Sequence, residues 1–486
     1  MHKPNTPPLL QMLLQHQKNG PLAMHMPGHK RNTQFAPYLE TLGAGLDITE
    51  IDGFDDLHHP EDILRQSMER AAKLWGARHS FYLVNGSTGG ILAAMRAMTA
   101  SGDRVLLTRG CHRSVYHGLE LMDLQPVYLV PMLDETFGIM ASITPFQLER
   151  AFAEHPGIKL VILTSPTYEG VVSDLTTLCQ IAHRHGALVL VDEAHGAHLA
   201  LSDSWPTSAV QAGADVVVQS LHKTLPSLTQ TAILHLASDR VSPSTMMQQL
   251  AIFQTSSPSY LFLASMDGCV DYLEQYAPQA MEKWWKSLES FDRAIQSLSH
   301  LQVLGYGKDK LSGHPLLYQI DPSKLVISCR NCAITGPELA QLLRQDYGIQ
   351  LEMACATYVL AMTGLAEPQE HLGKLAKALL DIDRKLGNAP VQTTPLPVEI
   401  PRRRCSISAA LRQYAYPLVP QDAISKISAE YVWAYPPGIP LIVPGEQIDA
   451  RFLVRCQEMT QSGISLRSTR GNFPHTIQCC DPPQSK

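Results

Sequence analysis

Two short runs, Leu160-Val161-Ile162-Leu163 and Leu188-Val189-Leu190-Val191, are apolar at every position and stand between segments of helical period. A strand that is apolar on both faces must be covered on both faces, which is the condition of a parallel sheet with helices on each side. The surrounding pattern repeats that alternation. A helix over 61–75 carries Ile63, Leu64, Met68, Ala71 and Leu74 on one face, and a strand over 80–84 follows. A helix begins after Gly89-Gly90, then strands at 104–107 and 159–164, a helix from Leu175 to His185, and strands at 187–191, 215–219 and 232–236. This reads as a doubly wound α/β domain.

The rest divides around it. Residues 9–19 predict a short helix ended by Gly20-Pro21, inside an otherwise unpatterned N-terminal arm over 1–60. The major domain is placed at 61–300 and a smaller α+β domain at 301–386, with strands Leu316–Ile320, Lys324–Ser328 and Ile349–Met353 and a helix from Gly336. A proline-containing linker at 387–397 leads to a C-terminal domain at 398–486, whose last dozen residues are expected to be disordered. A chain of 486 residues exceeds what one core usually serves, so several domains fit its length.

Composition excludes more than it identifies. Hydrophobic residues are 45%, charged residues 17% and the formal net charge −6, which suits a globular chain with no affinity for nucleic acid. The short basic cluster Arg402-Arg403-Arg404 reads as a solvated turn. Ten cysteines are too sparse for a disulfide scaffold. No run of about 18 apolar residues and no signal-peptide core is present, so a cytoplasmic protein without membrane contact is expected. Cys329-x-x-Cys332 and His195-x-x-His198 lack the further ligands of a closed metal site, and no metal is expected.

Four polar features sit where a sheet of this kind binds ligands, beyond the carboxyl ends of its strands. Lys223 follows an apolar strand in Gln219-Ser220-Leu221-His222-Lys223-Thr224. Asp192 ends another buried strand in Val191-Asp192-Glu193-Ala194-His195. A buried carboxylate needs a partner, and a protonated pyridine nitrogen is one. Glu193, next in the strand, points to the opposite face. Asn85-Gly86-Ser87-Thr88-Gly89-Gly90 lies between a strand and a helix, where backbone N–H groups and hydroxyls receive an anion. His112 follows strand 104–107, placed for an imidazole to stack on a ring. A capping loop or a solvated lysine would explain each feature singly. Together they describe a pyridoxal-phosphate site, with the lysine as Schiff-base former.

The chain resembles the fold-type-I Orn/Lys/Arg decarboxylases, in the compact form without a wing domain, over roughly residues 5–470. The resemblance is carried by Met26-Pro27-Gly28-His29-Lys30, Asp55-Asp56-Leu57-His58, Val191-Asp192-Glu193-Ala194-His195-Gly196, Ser220-x-His222-Lys223 with Gln230, Ser256-Ser257-Pro258-Ser259-Tyr260, and Tyr435-Pro436-Pro437-Gly438-Ile439-Pro440 through Pro444-Gly445-Glu446. It implies an aspartate-aminotransferase-like large domain and decarboxylation of a basic L-amino acid, with Lys223 holding the cofactor and Asp192 its ring nitrogen. By the same resemblance His112 stacks on the ring. Ser87, Thr88, Gly89, His195, Ser220 and His222 lie around the cofactor and its phosphate, and Lys223 or His222 protonates the substrate carbon. Ser257 reaches the phosphate of a neighbouring subunit in a homodimer or higher oligomer with shared sites. Arginine is the first expectation for the substrate, within polyamine metabolism, with lysine and ornithine open. An aminotransferase or aldolase of the same fold is the enzymatic alternative, and a cofactor-free regulator the non-enzymatic one. The substrate's distal cation needs a carboxylate when it leaves water; Glu446, Asp55 and Glu352 are the candidates, Glu446 first for its rigid surroundings.

Overall fold

The computed structural model describes residues 8–32, 34–305, 308–387, 400–435, 439–461 and 464–482. The expected linker lies almost wholly outside the described residues, as do Pro436-Pro437-Gly438 of the family-like motif. The chain forms two compact units. The first comprises Met1–Met98, Leu188–Trp284 and Gly364–Ala366, and the second Thr99–Ala187, Trp285–Thr363 and Glu367–Lys486.

In the first unit, helix Ile63–Trp75 buries Leu64, Met68, Ala71 and Trp75 on one face and stops at Gly76, whose φ of 73° suits glycine. Its start is fixed from a distance. Asp55 accepts N–H groups of Glu61, Asp62 and Leu64, satisfying donors that a helix end leaves open. Strand His79–Leu83 pairs antiparallel with Ala232–Leu236, which pairs antiparallel with Val216–Gln219. Val216–Gln219 in turn runs parallel to Leu188–Asp192.

The antiparallel strand departs from the expected parallel order, and the connection explains it. A parallel return needs a crossover of a dozen or more residues, normally a helix. Between Gln219 and Ala232 the chain holds only the four-residue helix Leu221–Thr224. Beneath these strands, Asp267 is fully buried and receives Leu9 N at 3.0 Å, Ser67 Oγ at 2.6 Å and Arg70. It ties the N-terminal helix Pro8–Asn19 into the core.

In the second unit, Arg104–Thr108 runs parallel to both Gln125–Leu129 and Ile158–Thr164. A separate antiparallel sheet follows the order Gln302–Val303, Lys324–Ser328, Tyr358–Met362, Met353–Ala354. The expected strand at Ile349–Met353 therefore begins only at Met353, and Leu316–Ile320 shortens to Gln319–Ile320, paired with Val171–Val172. The last dozen residues were expected to be disordered, yet they include strand Ile477–Cys480, at the centre of a three-stranded sheet with Tyr416–Leu418 and Ile427–Ser428. Ile477, Cys479 and Cys480 are buried there, which gives the segment an apolar anchor that its flanking prolines and polar residues obscure. A second three-stranded sheet, Ile439–Ile442, Val432–Tyr435 and Ser465–Ser468, packs with helix Ala450–Gln461 through Phe452 and Ile448.

Candidate active site

The parallel pair Leu188–Asp192 and Val216–Gln219 is in register with Asp192 opposite Val218, so the two strands reach the same edge together. The chain leaves one strand at Asp192 and the other at Ser220, and Lys223 follows within a single helical turn. Asp192 is buried and accepts the Ala194 N–H at 3.2 Å. Burial pushes its carboxyl above the ordinary range, and the positive charge of Lys223 opposes that shift. Lys223 Nζ lies 2.9 Å from His195 Nε2. His222 turns the other way, its Nδ1 2.8 Å from the Thr231 carbonyl, and burial lowers its pKa.

Glu193 is structural, as the alternation of strand faces requires. Ser208 Oγ, Ala209 N and Gln219 Nε2 all donate to its carboxylate, at 2.7–2.8 Å.

The Gly/Ser turn is held just as firmly. Helix Gly86–Met98 starts at Gly86, with φ 66°. Gln254 accepts Val84 N at 2.8 Å, Gln230 donates to Val84 O at 2.6 Å, and Asn85 donates to Phe253 O at 2.9 Å. A Cβ on Gly90 would stand 2.5 Å from Leu83 Cδ1 and 3.0 Å from Val218 Cγ1, so a glycine is what lets this helix lie close to the strands. In this position Ser87 Oγ hydrogen-bonds Ser220 Oγ. Thr88 is exposed and Gly89 buried in the same first turn. Two hydroxyls and the open N–H groups of a helix start thus converge, an arrangement suited to a phosphate. With a lysine amine and a buried carboxylate in the same unit, these residues fit pyridoxal phosphate.

The remaining expected site residues have partners of their own. Ser257 is exposed, with its hydroxyl 3.4 Å from Glu50. His112 belongs to the second unit, where its Nδ1 accepts Ser114 N and caps helix Arg113–Leu121. Asp55 is committed to helix capping. Glu352 is exposed and accepts the Tyr168 hydroxyl.

Glu446, the leading candidate for the substrate's cation, is already paired within its own unit. Arg109 grips it through two hydrogen bonds of 2.7 and 2.8 Å, and Val443 N donates at 3.0 Å. The Arg109 guanidinium also sits 4.9 Å from the Tyr128 ring centre and 5.7 Å from that of Tyr116. Sequence reasoning saw a rigid carboxylate and missed its partner. The available signal was an arginine directly after an apolar strand.

Cys329 and Cys332 are buried, their thiols pushed up to about 12 and about 11, chiefly by burial. Among the described residues no group of three or more His, Cys, Asp or Glu is arranged for a metal.

The Orn/Lys/Arg decarboxylase major-domain model matches residues 7–367, and that of the Orn/Lys/Arg decarboxylase C-terminal domain matches residues 406–463. The chain belongs to the Orn/Lys/Arg decarboxylase family. It is a pyridoxal-phosphate-dependent amino acid decarboxylase of the aspartate-aminotransferase-like fold. Among relatives of this decarboxylase, an arginine decarboxylase of Bacillus subtilis is 31% identical over 478 residues, covering 97% of each chain. An arginine decarboxylase of Bacillus cereus is 32% identical over 454 residues, covering 92% of this chain and 98% of the relative. Its fold is shared with the lysine decarboxylase LdcF of Francisella novicida, at a TM-score of 0.83 and 18% identity, over 98% of this chain and 81% of the other.

Proposed function

We propose that this decarboxylase converts L-arginine to agmatine and carbon dioxide, feeding polyamine metabolism in the cytoplasm. The near full-length similarity to proteins named arginine decarboxylase favours arginine over lysine or ornithine. The observation that carries the site assignment is the pair formed by Lys223 and the buried Asp192 at adjacent strand ends.

The cofactor, once bound, supplies an electron sink for the pair released as the carboxylate leaves. The protein supplies everything else. Lys223 would hold the cofactor through its side-chain amine. Asp192 would pair with the protonated ring nitrogen and hold that proton in place. Ser87, Thr88, Ser220 and the first turn of helix Gly86–Met98 receive the phosphate and fix the ring's orientation. His222, with Nδ1 turned to Thr231, presents its other nitrogen as an acceptor, so Lys223 is the better proton donor to the substrate carbon.

A homodimer with shared sites accompanies this reading. Leu22, Met24, Phe35 and Tyr38 of the N-terminal arm are at least 67% exposed, an apolar surface that a second copy would cover. Ten cysteines without a disulfide agree with a reducing compartment.

Borohydride reduction of the cofactor-loaded enzyme, followed by peptide mapping, tests the anchor. The cofactor is expected on Lys223, and a label on another lysine would overturn the assignment.

A further inference from the structure

His195 is buried on the turn after strand Leu188–Asp192, and that turn is rigid. Gly196 N bonds the Glu193 carbonyl at 2.9 Å, and three donors pin the Glu193 side chain. The His195 backbone is therefore held in place, and its ring is buried with Nε2 2.9 Å from Lys223 Nζ. Anchoring a cofactor does not require this partner.

We propose that His195 is the proton partner of Lys223: a positioning residue that takes a proton from Nζ when the lysine bonds to the cofactor and returns it when the substrate displaces the lysine. The inference rests on Lys223 being the anchor. A lysine with an ordinary pKa of about 10.4 is neutral in only about one molecule in 10³ at pH 7, and only the neutral amine bonds to an aldehyde. The ionisable groups facing this lysine include Asp192, from the neighbouring strand, and His222, from its own turn. The Asp192 carboxylate favours the ammonium form and so deepens the problem. His222 is engaged at Nδ1 by the Thr231 carbonyl, whereas His195 is the imidazole whose Nε2 lies 2.9 Å from Nζ.

An imidazole at hydrogen-bond distance acts as a general base on this step. In capture, Nζ gives a proton to His195 Nε2, the Nζ–carbon bond forms and the aldehyde oxygen leaves as water. In displacement, the substrate nitrogen bonds to that carbon, the Nζ–carbon bond breaks, and the proton returns from His195 to Nζ. The lysine then holds a proton to give to the substrate carbon after carbon dioxide departs.

The test is the rate at which cofactor-stripped protein captures pyridoxal phosphate, read by visible absorbance as a function of pH. Wild type is expected to reach its plateau near neutral pH. His195→Phe should be about 10²-fold slower there, with a rate that keeps rising into the alkaline range as the amine loses its proton to solvent. His195→Gln preserves a hydrogen bond but does not titrate in this range, and it should behave like the Phe variant. Added imidazole should restore the rate of His195→Ala. A wild-type pH profile in the Phe variant, or full recovery by Gln, overturns the proposal, and if Phe fails to fold the Gln and imidazole arms decide it. Lys223→Ala serves as the control. A covalent absorbance band in that variant would refute the anchor itself, whereas a normal profile in the His195 variants refutes only the relay.

Discussion

Asp192 is a carboxylate held at the end of a buried strand against its own hydration, and its raised pKa measures that conflict. A carboxyl whose folded pKa exceeds its unfolded one destabilises the fold as pH rises. The penalty is absent below the unfolded value of about 3.9, grows between that value and the raised folded one, and is complete only above the folded one. In cofactor-free protein, Asp192→Asn removes the charge and should melt no lower than wild type at pH 7. The loaded variant should bind pyridoxal phosphate but lose about 10²–10³-fold in kcat, since a neutral amide cannot hold the ring proton. Melting curves of stripped protein and turnover of loaded protein check the two halves. A wild-type kcat would remove Asp192 from its role. Asp192 and Lys223 both stand out in the sequence, one at the end of an apolar strand and the other four residues after the next. The Lys223–His195 contact does not, because it joins the turn after one strand to the short helix after another, which sequence spacing does not relate.

Strands apolar on both faces were readable to within a residue or two, as Leu188–Asp192 and Ile158–Thr164 show. Their direction was harder to read, and Ala232–Leu236 runs antiparallel because its connection is too short for a crossover. Short polar-flanked strands such as Ile477–Cys480 escaped notice, since their burial comes from packing and not from local pattern. The Arg109–Glu446 pair belongs to this class of hidden contact. It binds the segment after strand Ile439–Ile442 to the segment after Arg104–Thr108. Glu446→Gln leaves a buried guanidinium uncompensated and should lower unfolding stability by about 3–5 kcal/mol. Replacing both partners with apolar residues, as in Arg109→Met with Glu446→Leu, should recover much of that loss. Denaturant melts of the single and double variants measure this. An unperturbed melt for Glu446→Gln together with a raised KM for arginine would return Glu446 to substrate binding.

At the scale of the whole molecule, the exposed arm is the feature an isolated subunit explains least. If the proposed homodimer forms through this arm, replacing Leu22, Met24 and Phe35 together with Ser should shift the protein toward monomer in sedimentation and reduce activity at low protein concentration. An unchanged sedimentation coefficient would remove the arm from the proposed homodimer contact. The account's central claim is the reaction itself. Purified protein loaded with pyridoxal phosphate should be offered arginine, lysine and ornithine in parallel, with carbon dioxide and the three amines quantified. One carbon dioxide should form per agmatine released from arginine, with no keto acid and no turnover by Lys223→Ala. Cadaverine or putrescine as the main product would contradict the substrate, and a keto acid without carbon dioxide would contradict the decarboxylation.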